Sequence, residues 1–378
     1  MPNFSLFDST YCCLFNGNDS KDLKYHEGSL EANDGEGARF GYISYDYKNK
    51  IEDLTSLNPS LITFPDYKFF KSEKTQSIPV DALNENLETL QSRWRQRANN
   101  QSEKIDLISR TPKEAYLDNF EQIQWHIKRG DIYEVNYCVE WFADNCQINP
   151  FHTYRKLNDI TLAPFSALVK IEDTFILCAS PERYLKKEGN RLISQPIKGT
   201  VSRGRSENED QLLGTKLTTT IKEIAENVMT TDVVRNDFSR IAQKGTVKVK
   251  ELAALYSFRT VHHLISTIEC IIKKDQSFNQ ILAATFPMPS MTGAPKISAM
   301  KIIESSEDFK RGIYSGAIGY IDENDDFDFN VVIRSIIYDD RLKRISVPVG
   351  SAITSKSEPE KEWDECLLKV EAMKMALT

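Results

Sequence analysis

TPKEAYLDNFEQIQWHIKRGDIYEVNY, residues 111–137, carries both periods of secondary structure side by side. Thr111, Pro112 and Glu114 predict a helix start: an N-cap hydroxyl, a proline at the first position and a glutamate closing a capping box. Tyr116, Phe120, Ile123 and Ile127 then recur at helical spacing. Gly130 predicts the stop, and Ile132-Tyr133-Glu134-Val135-Asn136-Tyr137 reads as a strand. A folding unit therefore begins near residue 106 and runs to 378, preceded by a short region, 1–105, that contributes to the β core. Within that region Phe40–Asp46 is the clearest strand. Residues 71–104 are polar, and Arg93-Trp94-Arg95-Gln96-Arg97 reads as a solvated helix face.

Downstream, 166–171 and 174–179 form a hairpin across Glu172-Asp173. One long helix is expected from about Asn208 to Thr230, with Leu217, Ile221, Ile224 and Val228 on its apolar face and Arg235-Asn236-Asp237 following it. Another helix opens near Pro295, and strands are expected around 313–321, 329–338 and 343–349. The last helix starts at a second capping box, Ser357-Glu358-Pro359-Glu360, with Trp363, Leu367, Val370, Met373 and Leu377 as its stripe.

The 378 residues are 40% hydrophobic and 27% charged, ordinary globular usage. The formal charge of −7 gives no electrostatic reason to expect nucleic acid. Met1-Pro2-Asn3-Phe4-Ser5-Leu6 lacks the basic and apolar regions of a secretory signal, and no apolar run is long enough to span a membrane. The seven cysteines include no C-x-x-C pair, so reduced thiols in a cytoplasmic protein are expected.

Glu223 with Glu226, and Glu362 with Glu365, are carboxylate pairs three residues apart on helices. Brought together they would make an oxygen-rich site for a hard cation such as Mg²⁺. On spacing alone they are equally an ordinary wet helix face, and Glu365 with Lys369 a plain i,i+4 ion pair. Lys198, in Pro196-Ile197-Lys198-Gly199-Thr200, is chemically interesting if desolvated, because burial lowers a lysine's pKa and frees a nucleophilic amine. His262 and His263 precede a strand-like run, so they point to opposite faces. Phe286–Lys296 is a Pro/Gly loop entering a helix, and Gly350-Ser351-Ala352 allows either close ligand approach or tight packing.

Taken together, these segments resemble the chorismate-utilising enzymes: anthranilate synthase large subunits, aminodeoxychorismate synthase component I, and isochorismate and salicylate synthases. The motifs are GDIYEVN at 130–136, SPERYL at 180–185, PIKGT at 196–200, AENVMTTDVVRND at 225–237 and VHHLIST at 261–267. FPMPSMTGAPK at 286–296, RGIYSGAIGY at 311–320, VVIRS at 331–335 and EKEWDECLLK at 360–369 complete them. The resemblance implies an α+β fold like that of anthranilate synthase component I, a two-sheet β core with helices packed outside and the site in a cleft. It implies that Glu226 and Glu365 ligate Mg²⁺ at the ring carboxylate of chorismate, with Glu223 and Glu362 in support. It further implies His263 near the leaving group, Tyr314 and Arg334 as substrate contacts, Ser290 and Thr292 in the loop lining the ring, and Lys369 as a carboxylate binder. Gly350 and Ala352 fall at the pocket.

Within that family PIKGT resembles the aminodeoxychorismate branch, where anthranilate synthases have PIAGT. The resemblance implies that Lys198 attacks C2 of chorismate and displaces the C4 hydroxyl. Ammonia then adds at C4 to give 4-amino-4-deoxychorismate, a precursor of 4-aminobenzoate and folate. Glu182 matches a general acid or base, and Asn227 also fits the aminodeoxychorismate pattern. Glu134 stands where isochorismate and salicylate synthases have a water-activating lysine, which argues against water addition. Met288, Pro289, Ser351 and Ala352 depart from the family's smaller residues and add bulk near the pocket. No GxCxGxQ segment is present, so ammonia is expected from a separate glutamine amidotransferase subunit or from solution. The alternatives are anthranilate synthase component I, or a non-catalytic homologue that binds a partner subunit.

Overall fold

The computed structural model describes residues 9–15, 22–29, 37–72, 74–79, 88, 105–258 and 261–378. The basic cluster at 93–97 lies outside the described residues.

Two antiparallel sheets form the β core. The first runs, in spatial order, Gly293–Ala294, Glu134–Ala143, Arg344–Thr354, Ser335–Asp339, Thr174–Ser180, Phe165–Ile171, Ser9–Phe15, Asp22–Ser29 and Lys74–Pro79, with Ile108–Ser109 beside Glu134–Ala143. The second runs Ile197–Ser202, Val261–Ile271, Arg191–Gln195, Arg183–Glu188, Phe327–Val331, Ala317–Ile321, Arg39–Ile43 and Tyr67–Lys71, with Lys248–Ser257 on Val261–Ile271. The expected hairpin at 172–173 is present, with Phe165–Ile171 paired to Thr174–Ser180.

Seven helices matter here: α1 (Lys113–Arg129), α2 (Pro150–Thr161), α3 (Glu207–Thr219), α4 (Ile221–Ile241), α5 (Phe278–Thr285), α6 (Lys296–Ser306) and α7 (Pro359–Ala376). One apolar cluster joins α1, α2, α6 and α7 to the outer face of the first sheet. A second fills the space between the sheets and takes in Val234, Phe238 and Ile241 of α4. Fully buried rings such as Phe151, Phe175 and Phe238 contribute roughly 1.5–3 kcal/mol each relative to exposure. At the α1–α7 seam Tyr116 stacks on Tyr137 at 5.0 Å and meets the Trp363 ring at 5.1 Å.

Both faces of strand Glu134–Ala143 are covered, and its side chains alternate accordingly. Val135, Tyr137, Val139 and Trp141 join the helix-side cluster. Glu134, Asn136 and Glu140, on the other face, are buried polar groups. Its neighbour Arg344–Thr354 sets Thr354, Ala352 and Gly350 opposite Glu134, Asn136 and Cys138. A Cβ at Gly350 would lie 2.5 Å from Cys138 Sγ, so strand packing already demands glycine there.

The structure corrects several expectations. The long helix at 208–230 is two helices broken at Thr220, whose backbone is extended (φ −73°, ψ 113°). Arg235–Asp237 lie inside α4 rather than after it. Ile221 is exposed, and the buried face of α4 begins with Glu226, Asn227, Thr230 and Thr231, because that half of the helix faces a polar cleft. Neither capping box forms. Thr111 Oγ1 donates to Asp308, and Ser357 Oγ accepts from the Thr354 amide and donates to Ala352 O, so tertiary partners displace the local caps. On α7 Trp363, Val370, Met373 and Leu377 are buried as expected, but Cys366 takes the place of Leu367, which is exposed. Strand Arg39–Ile43 stops before a 3-10 turn at Tyr45–Tyr47, and the C-terminal strands are Ala317–Ile321, Phe327–Val331, Ser335–Asp339 and Arg344–Thr354.

Arg311 and Glu307 staple the back of the cleft. The guanidinium donates to Asn136 O at 2.8 Å and Met291 O at 2.7 Å, and pairs with Glu307 at 2.6 Å, while Glu307 accepts from the Cys138 amide. Both side chains are at most 2% exposed. Glu307→Ala should therefore cost about 3–5 kcal/mol, by leaving the Arg311 charge buried and unpaired. Arg235→Ala, at the exposed Arg235–Asp232 pair, should change stability by less than about 0.5 kcal/mol. Urea unfolding of both variants checks this, and equal midpoints would remove Arg311–Glu307 from its stapling role.

Candidate active site

A cleft of about 600 Å³ lies between α4 and α7 on one side and, on the other, strands Ile197–Ser202 and Val261–Ile271 with the inner face of the first sheet. That volume suits a small organic ligand. Lys198, Glu182, His263, Ser290, Tyr314, Arg334, Gly350, Ala352, Lys369, Glu223, Glu226 and Glu365 all line it. Thr292 and Glu362 do not. Thr292 is fully buried and donates its hydroxyl to Met288 O, and its own carbonyl takes the Asn136 amide, so it braces the loop. Glu362 sits behind the wall, held by Lys222 at 3.0 Å.

Helix α4 is tied to the strands by Asn227. Its amide donates to Leu264 O at 3.1 Å and Lys198 O at 3.4 Å, and accepts the Ser266 hydroxyl. This fixes Glu223 and Glu226 relative to Lys198 and His263. Lys296 adds a second tie, bonding Asp237 of α4 at 2.6 Å. Gly199 has φ +92°, and a Cβ there would meet Glu223 Oε2 at 3.0 Å. The left-handed backbone favours glycine at this position, and its missing Cβ leaves room for the Glu223 carboxylate beside the lysine.

Lys198 is 8% exposed and ion-paired to Glu134, which is 3% exposed. Burial pulls the lysine towards its neutral form, but Glu134, then Glu226 and Glu182, outweigh it and hold Lys198 above its ordinary pKa. This corrects the expectation that desolvation alone would free the amine: the resting side chain is an ammonium. Burial pushes Glu182 up to about 7 against the Ser290 hydrogen bond, which measures 2.6 Å, and against Lys198. Burial likewise pushes Glu226 up to about 7. Glu223 is raised by burial and by Glu365 and Glu362. Glu365 is lowered, because Lys369 at 2.5 Å overrides its burial.

His263 faces the cleft, its Nδ1 2.8 Å from the Thr200 hydroxyl. His262 turns the other way, against Ser257 and Asp210, as strand alternation requires. Burial, and then Arg334, hold His263 down to about 3. Lys369 also donates to Gly350 O at 2.7 Å.

Sequence reasoning missed Glu134 as a partner of Lys198, Asn136 as a cleft wall, and Lys222 among the carboxylates. The signal for the first two was the polar alternation of Glu134 and Asn136 between Val135 and Tyr137. For Lys222 it was the four-residue spacing to Glu226.

The imidazole of His263 should stay neutral from about pH 5 to pH 8, since its folded pKa lies well below the ~6.5 of a free histidine. Nitrogen-15 NMR, with the signal assigned by loss in His263→Asn, checks this. A titration midpoint near 6.5 would contradict it.

The profile of a family described as chorismate binding enzyme matches residues 15–375. Aminodeoxychorismate synthase component 1 of Escherichia coli is 32% identical over 89% of this chain and 76% of its own length. A chloroplastic aminodeoxychorismate synthase of Arabidopsis thaliana is 37% identical over 71% of this chain, which spans only 29% of that protein. The crystal structure of anthranilate synthase component I from Streptococcus pneumoniae superposes with a TM-score of 0.76 at 25% identity, covering 96% of this chain and 90% of that one. The chain belongs to the chorismate-binding enzyme family.

Proposed function

We propose that the protein acts as aminodeoxychorismate synthase component I, converting chorismate and ammonia to 4-amino-4-deoxychorismate. The observation that carries this is Lys198: a buried lysine at the wall of a cleft, with Glu182 facing it and three carboxylates within its electrostatic reach. The names of the Escherichia coli and Arabidopsis relatives support the same reading.

In this mechanism Arg334, through its fork of donors, and Tyr314 hold the enolpyruvyl side of the substrate. Lys369 takes a carboxylate, and Ser290, Gly350 and Ala352 shape the ring's seat. Lys198 attacks C2. Glu182, held near 7 and so partly protonated at neutral pH, donates a proton as the C4 hydroxyl departs. His263, neutral throughout, offers a hydrogen bond beside the leaving group. Ammonia adds at C4 and Lys198 is released.

The acidic residues fit a hard divalent cation. Glu362 Oε2 is buried without a hydrogen-bond partner, and Glu223 is destabilised as an anion by Glu365 and Glu362. Among the described residues no three acidic, histidine or cysteine side chains converge in ligating positions, and Lys222 and Lys369 pair with the carboxylates. Glu226 and Glu365 would hold Mg²⁺, with Glu223 and Glu362 behind them. The ion would supply charge compensation for the substrate carboxylate and the departing oxygen.

In this reading residues 106–378 carry the chemistry and 1–105 complete the β core. Ammonia comes from a separate glutamine amidotransferase subunit, the product feeds 4-aminobenzoate and folate, and the protein works in the cytoplasm. No helix among the described residues is long and apolar enough to cross a membrane. Anthranilate formation is the competing reading. It is favoured by the protonated state of Lys198, which would leave C2 open to ammonia.

With chorismate, Mg²⁺ and ammonium, the chain should make 4-amino-4-deoxychorismate, resolved from anthranilate by chromatography. Lys198→Ala should lose that product. Anthranilate as the main wild-type product would transfer the assignment to the competing reading. Glu365→Gln should weaken the apparent Mg²⁺ affinity measured in the presence of chorismate, and an unchanged affinity would remove Glu365 from the ion's shell.

A further inference from the structure

The ion pair between Lys198 and Glu134 has a role that neither the family name nor the cleft lining assigns. Glu134 does not line the cleft. It lies behind Lys198, its carboxylate on the lysine ammonium, with Thr354 directly across the sheet. It is fixed on the strand whose next odd residues are locked into the helix-side core, so it cannot withdraw. A buried ammonium cannot attack carbon, and among the groups around it Glu134 alone is in direct hydrogen-bond contact with Nζ among the described residues. Glu226, Glu182, Glu223 and Glu365 act on Lys198 only through space.

We propose that Glu134 is the positioning residue that aims Lys198 and holds its proton during the reaction. The proposal rests on the Lys198 reading above. Nζ passes one proton to Glu134 and the neutral amine bonds to C2. Both conjugated ring double bonds shift, C1=C2 to C1=C6 and C5=C6 to C4=C5, the C4–O bond breaks, and the oxygen leaves as water with the proton of Glu182; the shifts reverse when ammonia adds. Ammonia then bonds to C4, the electron pair of the C2–N bond returns to Nζ, and the new C4 ammonium gives a proton to Glu182. Neutral Lys198 recovers its proton from Glu134. Charges and protons close, and both pairs return to their starting states.

The experiment is the rate of Lys198 adduct formation with chorismate, ammonia withheld, read by quenched intact mass and peptide mapping across pH 6–10. Wild type should form the adduct at a rate that falls above about pH 7, as Glu182 loses the proton it must donate, with no rising limb for the lysine, because its proton passes to Glu134 and never has to reach solvent. Glu134→Gln should be about 100-fold slower at pH 7, the usual weight of a positioned proton acceptor. Its rate relative to wild type at the same pH should recover as pH rises, because the amine can then lose its proton to hydroxide while the loss of the Glu182 proton slows both proteins alike, and the KM for chorismate is unchanged. Glu134→Asp should keep the wild-type pH profile within about tenfold of its rate. Glu134→Gln as fast as wild type at pH 7 overturns the proposal, and so does Glu134→Asp as slow as Glu134→Gln at every pH. Absence of any Lys198 adduct in wild type would instead overturn the nucleophile reading itself.

Discussion

Charge buried inside this protein has to be matched, and the matching decides how its elements meet. Lys198 on the second sheet pairs with Glu134 on the first, Lys222 on α4 with Glu362 on α7, and Lys296 on α6 with Asp237 on α4. Arg311 and Glu307 link the back of the first sheet to the loop before α6. Each lysine pair spans elements distant in sequence, and the local Arg311–Glu307 pair reaches distant backbone at Asn136, Cys138 and Met291, so these charges are matched in full only when the sheets and helices are correctly placed. Desolvation cancels much of the Coulomb gain in such pairs. The driving force is instead the two apolar clusters, and the pairs penalise every arrangement that leaves a charge unmatched.

The same matching makes the cleft chemically uneven. Glu182 and Glu226, weakly compensated in burial, rise to about 7, whereas Glu365, held by Lys369, falls. Carboxyl groups pushed apart in this way can hold opposite protonation states at one pH, as a site that must both donate and accept protons requires. His263, pressed into its neutral form beside Arg334, is removed from proton traffic and left as a hydrogen-bonding group.

Much of this was legible in the sequence because it is local. The helix at 113–129, its stop at Gly130, the hairpin at 172–173 and the opposite aim of His262 and His263 follow from spacing and turn chemistry. What was not legible depends on partners far along the chain. Thr111 and Ser357 have the right residue types for capping, but Asp308 and the Ala352–Thr354 segment take their hydroxyls. An apolar stripe was sought on 208–230, yet the buried face of α4 starts polar, because it faces a cleft rather than a core. Hydrophobic periodicity cannot find a face that is buried for chemical reasons. The state of Lys198 was misread for a related reason: its burial could be guessed, but carboxylates from residues 134, 182 and 226 converge on it only in three dimensions.

Gly199 shows how closely the lysine and its surroundings are tied. Its left-handed backbone turns the strand immediately after Lys198, and the space where its Cβ would stand is taken by Glu223 Oε2 and the Leu264 side chain. A side chain there would be strained by that left-handed backbone and would press on the ends of the Glu223 and Leu264 side chains, beside the point where Asn227 bonds Lys198 O and Leu264 O. The glycine after the lysine is thus required by the turn of the strand itself, and it leaves room for the Glu223 carboxylate beside it. A lysine at 198 has its present electrostatic surroundings only in company with Gly199, Asn227 and Glu134, residues contributed by three separate elements.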